Sequence, residues 1–116
     1  MSARLISLFI AIACCAAPAL AHAFLRHADP GAGATLRTPP KRIALNFSEK
    51  LEAVFSGAIV TDAYGRNVQA GAAVIAGNSI LVPLRSLAAG NYRVSWHVVS
   101  VDTHRTEGAY SFAVKP

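Results

Sequence analysis

Apolar and polar residues alternate along several short stretches of the chain, which predicts β-strands rather than helices. Residues 41–47 place Ile43, Leu45 and Phe47 on one face. Residues 92–100 do the same with Tyr92 and Trp96, and put Arg93 and His97 on the other face. The same reading predicts strands at residues 55–61, 67–69, 72–75, 79–84 and 108–114, and an apolar segment at residues 23–28.

Turn-forming residues separate these stretches. Asp-Pro-Gly stands at residues 29–31, Thr-Pro-Pro at 38–40, Asp-Ala-Tyr-Gly at 62–65 and Gly-Asn at 77–78. Residues 51–54 are the one place where a short helical turn is expected. About seven short strands with a turn every ~8–12 residues predict an all-β domain. We expect a Greek-key β-sandwich or barrel of the immunoglobulin-like or cupredoxin-like kind.

The first 21 residues differ in character from the rest. They contain Arg4, an apolar run over residues 5–17, and Ala19-Leu20-Ala21. This is the pattern of a cleavable signal peptide, and the run is shorter than the ~20 residues that span a membrane. We expect cleavage after Ala21, export to the periplasm and a domain at residues 22–116. An uncleaved anchor, or lipidation at Cys14 or Cys15, is the alternative, and lipidation would leave His22 without a free amine.

Charge changes this picture little. Arg4 is the only charged residue in the first 21, so its removal lowers the net charge from +5 to +4. The remaining basic residues are scattered along the chain and form no run. This distribution predicts a solvated basic surface rather than a nucleic-acid site.

The sulfur content limits the metal chemistry. Both cysteines, Cys14 and Cys15, and the only methionine, Met1, precede residue 22. The predicted domain therefore has neither the thiolate of a blue-copper site nor the thioether that favours Cu(I). It also cannot form a disulfide, so packing must stabilise it. Any bound metal must be held by nitrogen and oxygen.

Candidate donors stand at three points of the chain. Cleavage after Ala21 would give His22 a free α-amine beside its imidazole, and the two can chelate one ion. Asp102 and His104 lie in the connection between the two most regular strands, and Glu49 follows another strand. If the N-terminus docks at the same edge of the domain, these four residues can surround one ion. Cu(II) prefers such nitrogen and oxygen donors, and zinc or nickel can occupy them as well. His27 and His97 are expected to be surface residues.

Three stretches resemble one protein family. They read HAFLRHADPGAG, PPKRIALNFSEKL and NYRVSWHVVSVDTHRTEGAYSFAV. The chain is similar to the copper-resistance CopC family of periplasmic copper binders. The resemblance implies a Cu(II) site of the histidine-brace type, made by the His22 amine and imidazole and the His104 imidazole. It implies that Asp102 is a third ligand or close partner, and Glu49 a more variable carboxylate.

The chain differs from some members of this family in one respect. Some relatives carry a Met-rich Cu(I) site in the middle of the chain, but residues 64–78 here contain no Met and no His. A site for one Cu(II) ion is therefore expected, without a second site for Cu(I).

The expected function is that of a monomeric copper carrier or buffer in copper homeostasis or resistance, not an enzyme. A CopD-type membrane transporter is the partner that the resemblance implies. Two alternatives remain open: a histidine-brace copper oxygenase, and a metal-free immunoglobulin-like interaction module.

Overall fold

The computed structural model describes residues 23–116, which form eight β-strands and one short 3₁₀ helix, Ala53–Phe55. The strands are β1 (Leu25–Asp29), β2 (Thr35–Leu36), β3 (Arg42–Phe47), β4 (Gly57–Asp62), β5 (Val74–Ala76), β6 (Ser79–Pro83), β7 (Gly90–Val99) and β8 (Arg105–Val114). None of the helical structure in these residues is long and apolar enough to cross a membrane.

The strands form two four-stranded sheets. One has the order β1-β3-β6-β5 and the other β2-β8-β7-β4. The pairs are antiparallel except for β2 with β8, which is parallel. The alternating side chains of the longer strands bury one face of each sheet, and that requires the two faces to pack together.

The core lies between the sheets. Ile43, Leu45 and Phe47 of β3 are completely buried, as the alternation predicted, and so are Val94 and Val98 of β7. The ring of Trp96 meets that of Phe47 edge to face, with the centroids 5.1 Å apart. These contacts confirm the predicted β-sandwich.

Local predictions differ from the structure in four of the segments. Residues 67–69 form no strand but only isolated bridges from Asn67 to Thr61 and from Gln69 to Leu84. Strand β2 was not predicted, because a two-residue strand has no alternation to detect. Strand β8 begins at Arg105 rather than at residue 108, and the helical turn lies at Ala53–Phe55, slightly later than expected.

Strands β7 and β8 form a long hairpin that gives the sandwich two distinct ends. The turn at residues 100–104 lies at one end, which we call the hairpin end. Segment 48–52 joins it there, since the amide of Val101 donates to the Lys50 carbonyl at 3.1 Å and that of Glu52 to the Val99 carbonyl at 2.8 Å. The first described residues, Ala23 and Phe24, also lie at this end.

Candidate metal centre

The hairpin turn brings Asp102 and His104 to one side of the chain. Thr103, between them, has a φ of 73°, in the left-handed region that few non-glycine residues occupy. Backbone hydrogen bonds close the turn: the Thr103 amide donates to the Ser100 carbonyl at 2.7 Å, and the Ser100 amide to the His104 carbonyl at 2.9 Å. The tight reversal lets the two flanking side chains approach each other.

The His104 imidazole contacts the Asp102 carboxylate directly. His104 Nδ1 lies 3.2 Å from Asp102 Oδ2, and the side chains are 54% and 36% exposed. A carboxylate at Nδ1 stabilises the tautomer that carries its proton there, and the lone pair that could bind a metal is then the one on Nε2. The contact thus orients the His104 ring, and both side chains remain accessible to solvent.

Ser100 fixes the other oxygen of Asp102. Its hydroxyl donates to Asp102 Oδ1, and the Ser100 side chain is almost completely buried. This hydrogen bond is the main cause that holds the pKa of Asp102 below its ordinary value of 3.8, and contacts with His104 add to it. Asp102 is therefore ionised at neutral pH.

Hydrogen bonds hold the first described residues of the chain close to Asp102 and His104. The Thr106 hydroxyl donates to the Ala23 carbonyl at 2.8 Å, and Ala23 is completely buried. The Phe24 amide donates to Ser48 Oγ at 2.8 Å, and the Ser48 amide donates back to the Phe24 carbonyl at 2.8 Å. Ala23 is thus held next to β8 at Thr106, which stands two residues after His104 in the sequence.

The four predicted donors are placed as follows. Asp102 and His104 come together. Glu49 is exposed at the hairpin end, and residues 23–116 hold no group of three or more His, Cys, Asp or Glu side chains arranged to bind a metal. His22 lies outside the described residues. Its role and that of Glu49 stay predictions.

The other two histidines lie on strands. His27 is exposed on β1, an edge strand, as expected. His97 is half-buried rather than exposed, because its ring lies over Gly57: a Cβ added to that glycine would stand 3.2 Å from His97 Cε1. Neither belongs to a metal-binding group within the described chain.

Ser100 and Thr106 were not predicted from the sequence to take part in the site. The motif S-x-D-x-H contains Ser100, and its spacing could have suggested a hydrogen bond to the aspartate two residues later. Thr106 offered no such signal, since it meets Ala23 across 83 positions of sequence.

The chain is similar to known proteins over most of its length. The CopC domain model matches residues 25–115. Protein YobA of Escherichia coli K12 is 46% identical over 99 residues, which cover 82% of this chain and 80% of the relative.

Two solved structures share the fold. CopC from Methylosinus trichosporium OB3b has a TM-score of 0.76 and 32% identity, covering 82% of this chain and 95% of its own. PcoC, a methionine-rich copper resistance protein from Escherichia coli, has a TM-score of 0.70 and 39% identity, covering 82% and 100%. With the family model matching most of its length, the chain belongs to the CopC family.

Proposed function

We propose that this protein binds copper and acts as a carrier or buffer in copper homeostasis or resistance, after export to the periplasm. It holds one Cu(II) ion through the amine and imidazole of His22 and the imidazole of His104. Family membership supports copper as the metal, since the related PcoC is a copper resistance protein.

The observation that carries the proposal is the contact of His104 Nδ1 with Asp102 Oδ2, 3.2 Å apart, beside the anchored Ala23. The contact favours Asp102 as the partner that orients His104 over Asp102 as a direct ligand, because a carboxylate engaged with Nδ1 directs Nε2 to the metal. Glu49, exposed at the same end, supplies the variable carboxylate.

The lack of sulfur supports Cu(II) over Cu(I). Residues 23–116 contain neither Cys nor Met, whereas PcoC is methionine-rich. Nitrogen and carboxylate donors suit the harder Cu(II) ion. The role is one of binding and transfer rather than catalysis, by a monomer, with a CopD-type membrane transporter as the proposed recipient or source of the metal.

A Cu(II) titration of the exported protein tests the proposal. His104→Ala removes a ligand and is expected to weaken binding about tenfold to a hundredfold. His97→Ala is the matched control, because it removes a histidine from the same hairpin away from the site, and its affinity is expected to stay within about twofold of wild type. Equal affinity for wild type and His104→Ala would overturn the proposed site.

A further inference from the structure

The end of the sandwich opposite the hairpin gathers basic residues that are scattered in sequence. The Lys115 amide donates to the Leu36 carbonyl at 2.8 Å, the Leu84 amide donates to the Lys41 carbonyl at 2.9 Å, and Arg42 pairs with Pro83. These contacts bring three segments together. We call the resulting surface the basic end; its exposed cations are Arg37, Lys41, Arg42, Arg85 and Lys115.

Little negative charge offsets these cations. Residues 36–42, 84–91 and 114–116 contain no Asp or Glu. Within the described chain, the two ion pairs are those of Asp62 with Arg66 and of Asp102 with His104, and neither includes a cation of the basic end. Four of the six acidic residues lie toward the hairpin end: Glu49, Glu52, Asp102 and Glu107. The other two lie nearer the basic end, where Asp62 is paired with Arg66 and Asp29 is exposed on β1.

The basic end also has an apolar recess. A cavity of about 460 Å³ opens between residues 38–41 and 84–87, and its lining includes Pro39, Pro40 and Leu87 together with Lys41 and Arg85. Cations beside an apolar cavity are suited to an anionic amphiphile, whose charged head and apolar part occupy different surroundings.

An exposed aromatic side chain stands at the same end. Tyr64 is 84% exposed, and the Arg66 guanidinium lies 5.1 Å from the centre of its ring. Its turn shares a cavity with residues 88–92, next to the loop of Arg85. Tyrosine, apolar in its ring and polar at its tip, is enriched where lipid headgroups meet the acyl chains.

We propose that the basic end docks on the surface of a bilayer that contains anionic phospholipids. Charge complementarity supplies the attraction, since each exposed Lys or Arg near such a surface contributes roughly fivefold in affinity. The apolar cavity beside the cations favours a lipid over a nucleic acid, which has no apolar chain to place there. An acidic protein is an outcome of the test below.

This docking fixes the orientation of the domain. Strand β7 has 10 residues between the two ends, which at about 3.3 Å per residue separates them by roughly 30 Å. The hairpin with Asp102 and His104 then faces the aqueous phase, away from the bilayer. Docking requires no copper, so this inference does not depend on the proposed metal site.

Sedimentation with vesicles tests the docking, using the exported protein free of copper. Vesicles of phosphatidylglycerol mixed with phosphatidylcholine are expected to bind the protein, and pure phosphatidylcholine to bind it weakly. High salt is expected to release it, because salt screens exposed charges beyond about 3 Å at 1 M.

Charge variants locate the contact. Lys41→Gln with Arg85→Gln is expected to weaken binding to the mixed vesicles about tenfold or more. Arg26→Gln with Lys50→Gln removes the same charge from elsewhere and is expected to weaken it by less than about threefold. Unchanged near-ultraviolet circular dichroism of Trp96 shows that each variant is folded.

Three results would overturn the inference. These are equal losses in the two double variants, equal binding to phosphatidylcholine alone, and no binding to the mixed vesicles. If the protein binds an acidic polypeptide but no vesicles, the proposal is also overturned. The partner of the basic end would then be an acidic protein rather than a bilayer.

Discussion

Thr106 Oγ1 donates a hydrogen bond to the carbonyl oxygen of Ala23 over 2.8 Å, and so joins strand β8 to the first described residue of the chain. Ala23 has no exposed surface. This bond therefore holds the segment that follows His22 beside the hairpin of Asp102 and His104. Neither residue is a proposed ligand, yet the proposed copper site requires both to stay where they are.

Replacing Thr106 by Val removes this hydrogen bond with little change in shape. The buried Ala23 carbonyl loses its hydroxyl partner, which is expected to lower the free energy of unfolding by about 1–2 kcal/mol. Copper affinity is expected to fall by severalfold, because the N-terminal segment is held less firmly. Denaturant unfolding and Cu(II) titration measure the two effects. Thr106→Ser keeps the hydroxyl and is the control; full copper affinity in Thr106→Val would contradict the positioning role.

The Ser100 hydroxyl sets the titration of Asp102. Because this bond keeps the pKa of Asp102 below 3.8, the carboxylate contributes stability above its unfolded pKa, and that stability is lost as pH falls through the folded value. Ser100→Ala is expected to raise the folded pKa toward 3.8. Carbon NMR of the Asp102 carboxyl measures it directly, and an unchanged midpoint would show that the hydrogen bond is not the cause.

Copper affinity is expected to fall at pH values well above those at which Asp102 becomes protonated. Protons compete with the metal for the imidazole and amine nitrogens of the proposed site. Affinity should therefore fall steadily as the pH is lowered from about 8 to 5, while Asp102 remains ionised. Titrations across this range check the slope. A decline confined to pH values below 4 would indicate carboxylates, not nitrogen, as the main ligands.

Gly108 provides room for Trp96. A Cβ added to Gly108 would lie 2.5 Å from Trp96 Cζ2, and Trp96 cannot retreat freely because it packs against the buried Phe47. Gly108→Ala is expected to lower the free energy of unfolding by about 1–3 kcal/mol and to shift Trp96 emission. Gly71→Ala is the control, since its Cβ would make an ordinary contact of 3.6 Å with Pro83. Equal stability of the two variants would show that Trp96 moves without cost.

Tyr110 links β8 to the loop after β1. Its hydroxyl donates to the Pro30 carbonyl at 2.8 Å, and burial, with the nearby charge of Asp29, raises the pKa of Tyr110 to about 12. The unfolded chain ionises near pH 10, so this tyrosine destabilises the folded state as pH rises from 10 toward 12. Tyr110→Phe is expected to cost about 1 kcal/mol at pH 7 and to lose less stability over that alkaline range. Parallel alkaline unfolding curves for both proteins would contradict this.

The sequence was most informative where packing follows a simple period. Strand β3 alternates along its length, and β7 does so at residues 92–94, because one face of each lies in the core. Ile43, Leu45 and Val94 could therefore be assigned from the pattern alone. The first residues of β8, Arg105 to Glu107, were missed. They pair with β7 but carry polar and charged side chains, which give no apolar alternation to read.

The site was predictable only as far as it is local. Asp102 and His104 stand two residues apart, so a shared turn could bring them together, and the structure places them in contact. The bond from Thr106 to Ala23 depends on the whole sandwich and could not be read from spacing. The basic end was missed for the same reason: Arg37, Arg85 and Lys115 are distant in sequence, and only the pairing of strands collects them.

The most direct test of the central claim compares two forms of the exported protein, one beginning at His22 and one with a single glycine before it. The glycine turns the His22 amine into a peptide amide without altering any side chain. Electron paramagnetic resonance of the Cu(II) forms, with titrated affinities, is expected to show a changed nitrogen hyperfine pattern and binding weaker by about tenfold or more, or ~1.4 kcal/mol. Identical spectra and affinities would contradict the N-terminal histidine as a ligand.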